Sequence, residues 1–275
     1  MRKCLLHTLA GILALTSCSS WILENRINCP AYLFLDVKDN ADLQGTETVR
    51  IAVRDLGTSE LMASDTPHLE EIVPDKYHLV IHKCPGISVS GVIGVKASAS
   101  TGDASILTVP SGSQADPLFL FTEKSEAMSD SLSVKATLRK EYSRITLRFS
   151  LEDGQFPYHV AVKGNTSGLD MITGKPVAGP FRHEPEEEAP GLFSCNVPRQ
   201  ADRLLALEIH PKSGISAEEG FSGDIVLWDY LQRIPGFSWE LENLPDITVD
   251  VDFFHLLLTI DVNGWTVAQS ITLTI

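Results

Sequence analysis

ITVDVDFFHLLLTIDVNGWTVAQSITLTI, residues 247–275, is the stretch on which the fold turns. Ile247, Val249, Val251 and Phe253 alternate with Thr248, Asp250 and Asp252. Leu256, Leu258, Ile260 and Val262 then lead into Asn263-Gly264, and Trp265, Val267, Gln269, Ile271, Leu273 and Ile275 follow. A period of two places successive side chains on opposite faces of a strand. Asn-Gly between two such runs predicts a hairpin, because both central positions of a type I′ turn need positive φ. The turn pairs Val262 with Trp265 and Ile260 with Val267. The alternating pattern is still running at Ile275, so the last strand is expected either to be locked in the sheet or to pair elsewhere.

The same period recurs upstream. Leu33, Leu35 and Val37 alternate with Phe34 and Asp36; Val49, Ile51 and Val53 alternate with arginines and Ala52; Tyr77, Leu79 and Ile81 alternate with His78, Val80 and His82. Residues 87–95 and 116–121 read as further strands, as do Leu132, Val134, Ala136 and Leu138. Asp39-Asn40, Gly57-Thr58, Pro74-Asp75, Gly102-Asp103 and Ser111-Gly112 punctuate them. Many short strands with regular turns predict an all-β sandwich or barrel. In the second half, Tyr158, Val160 and Val162, then Leu205, Leu207 and Ile209, repeat the style. Residues 224–232 are the best helix candidate, with Ile225, Trp228 and Leu231 at helical spacing, Asp224 or Ser222 as cap and Pro235-Gly236 as stop. The competing reading is a strand with Val226, Trp228 and Tyr230 on one face.

A change of phase divides the chain. The apolar set is even-numbered through Leu138 and odd-numbered at Ile145, Leu147 and Phe149. A one-residue slip turns a strand's apolar face over, so a bulge or a domain boundary lies at residues 140–143. Balanced lengths favour the boundary, which predicts one sandwich over residues 29–140 and another over 141–275.

The N-terminus predicts export. Arg2 and Lys3 precede a mostly apolar run over residues 5–15, and Leu15-Thr16-Ser17-Cys18 closes it. The run is too short for a spanning helix, which needs roughly 20 apolar residues. Residues 1–17 read as a signal peptide with a lipobox ending, which makes Cys18 the acylated first residue of the mature chain and residues 18–28 a linker. Two or more acyl chains hold a protein firmly to a bilayer. With net charge −14 the chain is a poor partner for nucleic acid or anionic headgroups, so attachment rests on lipid. Of the five cysteines, Cys29, Cys84 and Cys195 remain after Cys4 and Cys18. Cys29 and Cys84, each before a proline, are expected to pair in an oxidising compartment.

Chemistry-bearing patterns are sparse. No GxSxG, phosphate-binding loop, GxGxxG or HExxH occurs, and no CxxC suggests zinc. His78 and His82 share a strand face but stand roughly 13 Å apart, too far for one metal. Asp250 and Asp252 read as the wet face of a strand rather than a hydrolase pair. The acidic run at residues 184–188 lacks calcium-loop spacing and reads as a solvated loop. No cofactor and no catalytic residue is expected. An alternative function is glycan binding, with Trp228 or Trp239 stacking on sugar; core or interface packing is the default for these and for Trp21 and Trp265.

Acylated Cys18, then Asn28-Cys29-Pro30 opening a strand, then Pro74-Asp75-Lys76-Tyr77 leading another, resembles the fimbrillin anchor family, the FimB-type lipoproteins at the base of type V pili. The passages at residues 138–147 and 224–231 are similar as well. The family's usual Asp-Cys-Pro stands here as Asn28-Cys29-Pro30, and its Gly-x-Tyr as Asp75-Lys76-Tyr77. The resemblance implies two tandem transthyretin-like, Ig-like β-sandwiches at the outer membrane. It also implies a non-enzymatic role holding pilin subunits, which join by strand exchange. The C-terminal strand carrying Ile271, Leu273 and Ile275, or its hairpin, is then the expected contact with the first pilin.

Overall fold

The computed structural model describes residues 29–36, 49–65, 78–94, 99–100, 106–150, 156–212, 222–253, 255 and 257–270. In chain order the strands are β1 (Pro30–Asp36), β2 (Val49–Asp55), β3 (Leu61–Asp65), β4 (His78–His82), β5 (Cys84–Ile93), β6 (Ala99–Ser100) and β7 (Ile106–Thr108). Next come β8 (Phe119–Ala127), β9 (Ser131–Lys135), β10 (Arg139–Lys140), β11 (Tyr142–Phe149), β12 (Tyr158–Asp170), β13 (Lys175–His183) and β14 (Glu187–Ala189). The last are β15 (Leu192–Pro198), β16 (Ala206–Pro211), β17 (Gly223–Val226), β18 (Ile247–Asp252), β19 (Leu257–Val262) and β20 (Trp265–Ser270). One helical turn, α1 (Trp228–Leu231), lies between β17 and β18.

Alternation decides which faces are buried. In β1, Ala31, Leu33 and Leu35 are buried while Pro30 and Tyr32 are exposed. The sheet β4-β1-β9 covers the sheet β10-β8-β5-β2-β3. Between them lie Leu33, Ile51, Ile87, Ile93 and Phe121, all almost fully buried. A second pair of sheets, β14-β15-β11-β18-β19-β20 and β17-β16-β12-β7-β6, encloses a larger core running from Ile145 to Val262, with β13 paired to β12.

The two sandwiches share a pattern. β1 lies between antiparallel β4 and parallel β9. β11 lies between antiparallel β15 and parallel β18. In the facing sheets β2 joins β3 and β5, as β12 joins β13 and β16. The second sandwich then continues past the repeat, because the β19–β20 hairpin adds two strands beyond β18.

The chain crosses from one pair of sheets to the other at Glu141. β10 hydrogen-bonds to β8, and β11 to β15. The crossing is where the sequence changes phase: Val134 and Ala136 face the first core, Ile145 and Leu147 the second. Ile106–Thr108 makes the opposite journey. Although it precedes the crossing, β7 pairs with the far end of β12, with Leu107 opposite Leu169. Three residues are too few to show an alternation. Gly168 permits it, since a Cβ there would stand 2.3 Å from the Leu107 carbonyl oxygen. Gly168→Val therefore displaces β7; the expected loss is about 1–3 kcal/mol by denaturant titration, with faster amide exchange at Leu107.

The helix expected over residues 224–232 is only in part a helix. Residues 223–226 are strand β17, paired to β16, and a single helical turn follows. Neither Asp224 nor Ser222 caps it; Leu227 holds that position with no side-chain bond. The β16 edge takes the early residues as a strand, and burial of Leu227, Tyr230 and Leu231 then turns the chain inward.

Candidate functional site

The site follows from the hairpin at the end of the described chain. Asn263 and Gly264 have φ of 52° and 80°, the type I′ arrangement their sequence predicts. Val262 then pairs with Trp265, and the register runs without a bulge to Leu257 opposite Ser270. Leu258, Ile260 and Val262 face the core. Their partners Gln269, Val267 and Trp265 continue that face at the rim, where the core runs out. Val267 packs against the core's edge, while Trp265 is 58% exposed.

In a two-residue hairpin the closing pair exchanges both hydrogen bonds, and pairs alternate from there. The N–H and C=O groups of Thr266, Ala268 and Ser270 therefore point away from β19, toward the open side of the sheet. β20 ends its sheet. Natural edge strands are guarded by charge, proline, bulges or shortness. β14 is three residues with two glutamates, and β13 carries two prolines and two basic residues besides a broken register. β20 has none of these features: six residues, no charge, no proline, regular register. Its chemistry is that of a template for another strand.

Nearby, α1 approaches β20. Trp228 is half-buried beneath Arg203, whose guanidinium carbon lies 5.3 Å from the ring centre. Trp239 is 6% exposed and packs edge-on against Phe237. Neither tryptophan presents the flat open face that stacking on sugar requires, so the sugar-stacking expectation at these two positions is not met.

Cys18 and the C-terminal residues Ile271, Leu273 and Ile275 lie outside the described residues, as does the linker. The Cys29–Cys84 bridge is absent from the structure, where Cys29, Cys84 and Cys195 are free thiols. Extending the β1–β4 register by one residue sets exposed Cys29 across from Lys83. Cys84 instead opens β5 in the other sheet, buried, with its thiol donated to Asp55 at 2.9 Å. Burial first, then this bond to Asp55, raises the Cys84 thiol pKa. Burial pushes Cys195 up to about 12. Thiolate is the reactive form. An alkylating reagent added to the native protein is thus expected to modify Cys29 rapidly, and Cys84 and Cys195 only after unfolding, as peptide mass mapping would read.

Several acidic residues flagged by sequence meet a base or a backbone N–H. Asp250 meets Arg148 at 3.7 Å, and Asp252 meets His255 at 2.7 Å. Glu184 meets Arg182 at 2.6 Å, and Glu187 accepts from the Gly191 N–H. No group of three or more His, Cys, Asp or Glu side chains converges among the described residues. Sequence reading missed the crossing's polar anchor, the buried pair Glu141 and Arg199; a lone arginine after Pro198 carries no pattern.

No family model matches the chain, and no curated protein matches it by sequence. Solved structures do share the fold. A candidate polysaccharide-binding protein from Bacteroides thetaiotaomicron superposes with TM-score 0.63 at 14% identity, covering 88% of this chain and 99% of that one. A candidate adhesin of the same organism gives 0.60 at 11% identity, over 86% and 96%. The fimbrial anchor protein Mfa2 from Porphyromonas gingivalis gives 0.60 at 10% identity, over 86% and 99%. At such identities the likeness concerns the all-β fold. Among the described residues no helix is long and apolar enough to cross a membrane.

Proposed function

We propose that this chain is a non-enzymatic fimbrial anchor of the fimbrillin anchor type, held to the outer membrane through acyl chains on Cys18 and gripping a pilin subunit by strand addition. The observation that carries this reading is the unguarded β20 edge, where Thr266, Ala268 and Ser270 turn their backbone groups outward on a rim lined by Val267 and Trp265. Support comes from the shared fold with a fimbrial anchor protein and with a fimbrial assembly protein from Parabacteroides distasonis, TM-score 0.52 at 12% identity over 87% and 98% of the chains. It also comes from Asn28-Cys29-Pro30 and the lipobox ending at Cys18.

Strand addition draws affinity from main-chain hydrogen bonds and specificity from alternate side chains. β20 offers both, and the sequence beyond it keeps the alternation through Ile271, Leu273 and Ile275. The test is cross-linking of the tagged chain in its native membrane, followed by affinity recovery. Pilin subunits are expected in the recovered complex, and Cys18→Ala is expected to move the protein to the soluble fraction. Recovery without any pilin subunit would sink the anchor reading.

A further inference from the structure

The outer face of the β4-β1-β9 sheet departs from the usual polar exterior. Tyr32 is 45% exposed and Val80 is 51% exposed, and the two are direct cross-strand partners. Among the described residues they are the only exposed large apolar side chains that stand opposite each other. Exposed Pro30 and half-buried Phe34 extend the same face along β1. The rim is polar: Ser131 and Ser133 on β9 stand opposite Tyr32 and Phe34, and His82 stands opposite Pro30. Charge is balanced there. Asp36 pairs in register with Lys135, and the neighbouring Lys83 meets Asp130 at 2.7 Å, in a chain whose net charge is −14.

We propose that this face lies on the lipid headgroup surface and lays the first sandwich down on the membrane; the proposal rests on the lipid-anchor reading of Cys18. The tether argues for it. Cys18 and Cys29 are eleven positions apart. That length reaches about 36–40 Å when extended and about 17–20 Å as a flexible coil. It ends at Cys29, directly beside Pro30, so the membrane is held within reach of this face. A short tether gives the face a high effective concentration at the surface, and a shallow patch then suffices. The composition fits. Tyrosine pairs an apolar body with a polar tip and favours the interface. The acidic charge elsewhere disfavours contact with anionic headgroups, whereas the acidic and basic side chains described at this face balance.

The test uses the acylated full chain in phosphatidylcholine vesicles, with an environment-sensitive dye on exposed Cys29. Emission is expected to shift to shorter wavelength and to be quenched by a spin label at headgroup depth. In Tyr32→Thr/Val80→Thr, which keeps β-propensity, both signals are expected to fall to the buffer value while circular dichroism shows the sheets still formed. Equal signals in both proteins, or a dye that stays at its buffer value in both, would overturn the proposal. A second arm separates it from the lipid reading. A chain beginning at Ser19 with an N-terminal histidine tag is placed on nickel-chelating phosphatidylcholine vesicles. A shift there supports the face even where mass analysis finds Cys18 unacylated. No shift there overturns the face even where Cys18 is acylated, including the case in which the face instead binds a pilin or a glycan.

Discussion

Arg199→Met is expected to destabilise the protein by about 3–5 kcal/mol, as a fall in the denaturant midpoint, because it leaves a buried carboxylate without its principal partner. Arg199 is 5% exposed and Glu141 is 3% exposed. The Arg199 Nε donates to Glu141 at 2.6 Å. Its remaining nitrogens donate to the carbonyl oxygens of Lys140, Trp239, Leu241 and Glu242, so one side chain ties its own strand end to two other stretches of backbone. The other Glu141 oxygen accepts from Arg139, whose second nitrogen reaches the Gly174 carbonyl at 3.0 Å. Burial holds the Arg199 guanidinium below its ordinary pKa, with Glu141 working against that fall. The cation is kept because every direction it faces offers an acceptor.

The double variant Glu141→Leu/Arg199→Met gives the argument its sign. It removes both charges at once and leaves orphaned carbonyls, which cost less than an orphaned ion. Recovery of part of the single-variant loss is expected, with strong coupling in the double-mutant cycle. Additive losses would mean that the two residues act separately. The position matters because Glu141 is where the chain passes between sandwiches. Arg199 N–H bonds the Glu141 carbonyl at 2.9 Å, and Lys140 N–H bonds Asn243 at 2.9 Å. The crossing is thus fastened from both sides by segments that come roughly 60 and 100 residues later.

That separation marks the limit of what sequence can show here. The hairpin was legible because its information is local: two alternating runs and two residues fit for positive φ. The change of phase between Leu138 and Ile145 was legible for the same reason, as neighbouring side chains reveal which face is wet. The parallel pairing of β11 with β18 joins Ile145 to Ile247 and has no local signature. Nor does β7, whose partner Gly168 is readable only as a glycine. The Cys29–Cys84 expectation failed on direction: each cysteine precedes a proline in the same half of the chain, but Cys84 turns inward to Asp55. Trp228 and Trp239 followed the packing default, while the exposed Tyr32–Val80 pair needed the β1–β4 register before it became a patch.

The edge strand supports the sharpest functional prediction. Ala268→Pro is expected to abolish retention of pili while leaving the hairpin folded. Ala268 stands opposite Thr259 in a pair that does not exchange hydrogen bonds, so its N–H points outward. Proline there removes one donor from the open edge without breaking a bond to β19, and its ring crowds an incoming strand. One net hydrogen bond is worth about 1 kcal/mol, and each 1.4 kcal/mol is tenfold in affinity. Added crowding takes the expected weakening beyond about tenfold, which a polymer held at one base contact would register as shed pili. Ala268→Val is the control, since it keeps the N–H and suits a strand; it is expected to retain pili. Deleting residues 269–275 is expected to match the proline variant, because it removes Ser270 and the alternating residues beyond it. If Ala268→Pro, secreted and acylated as usual, still retained pili at the unmodified level, the contact would not use this edge, whatever the fold resembles.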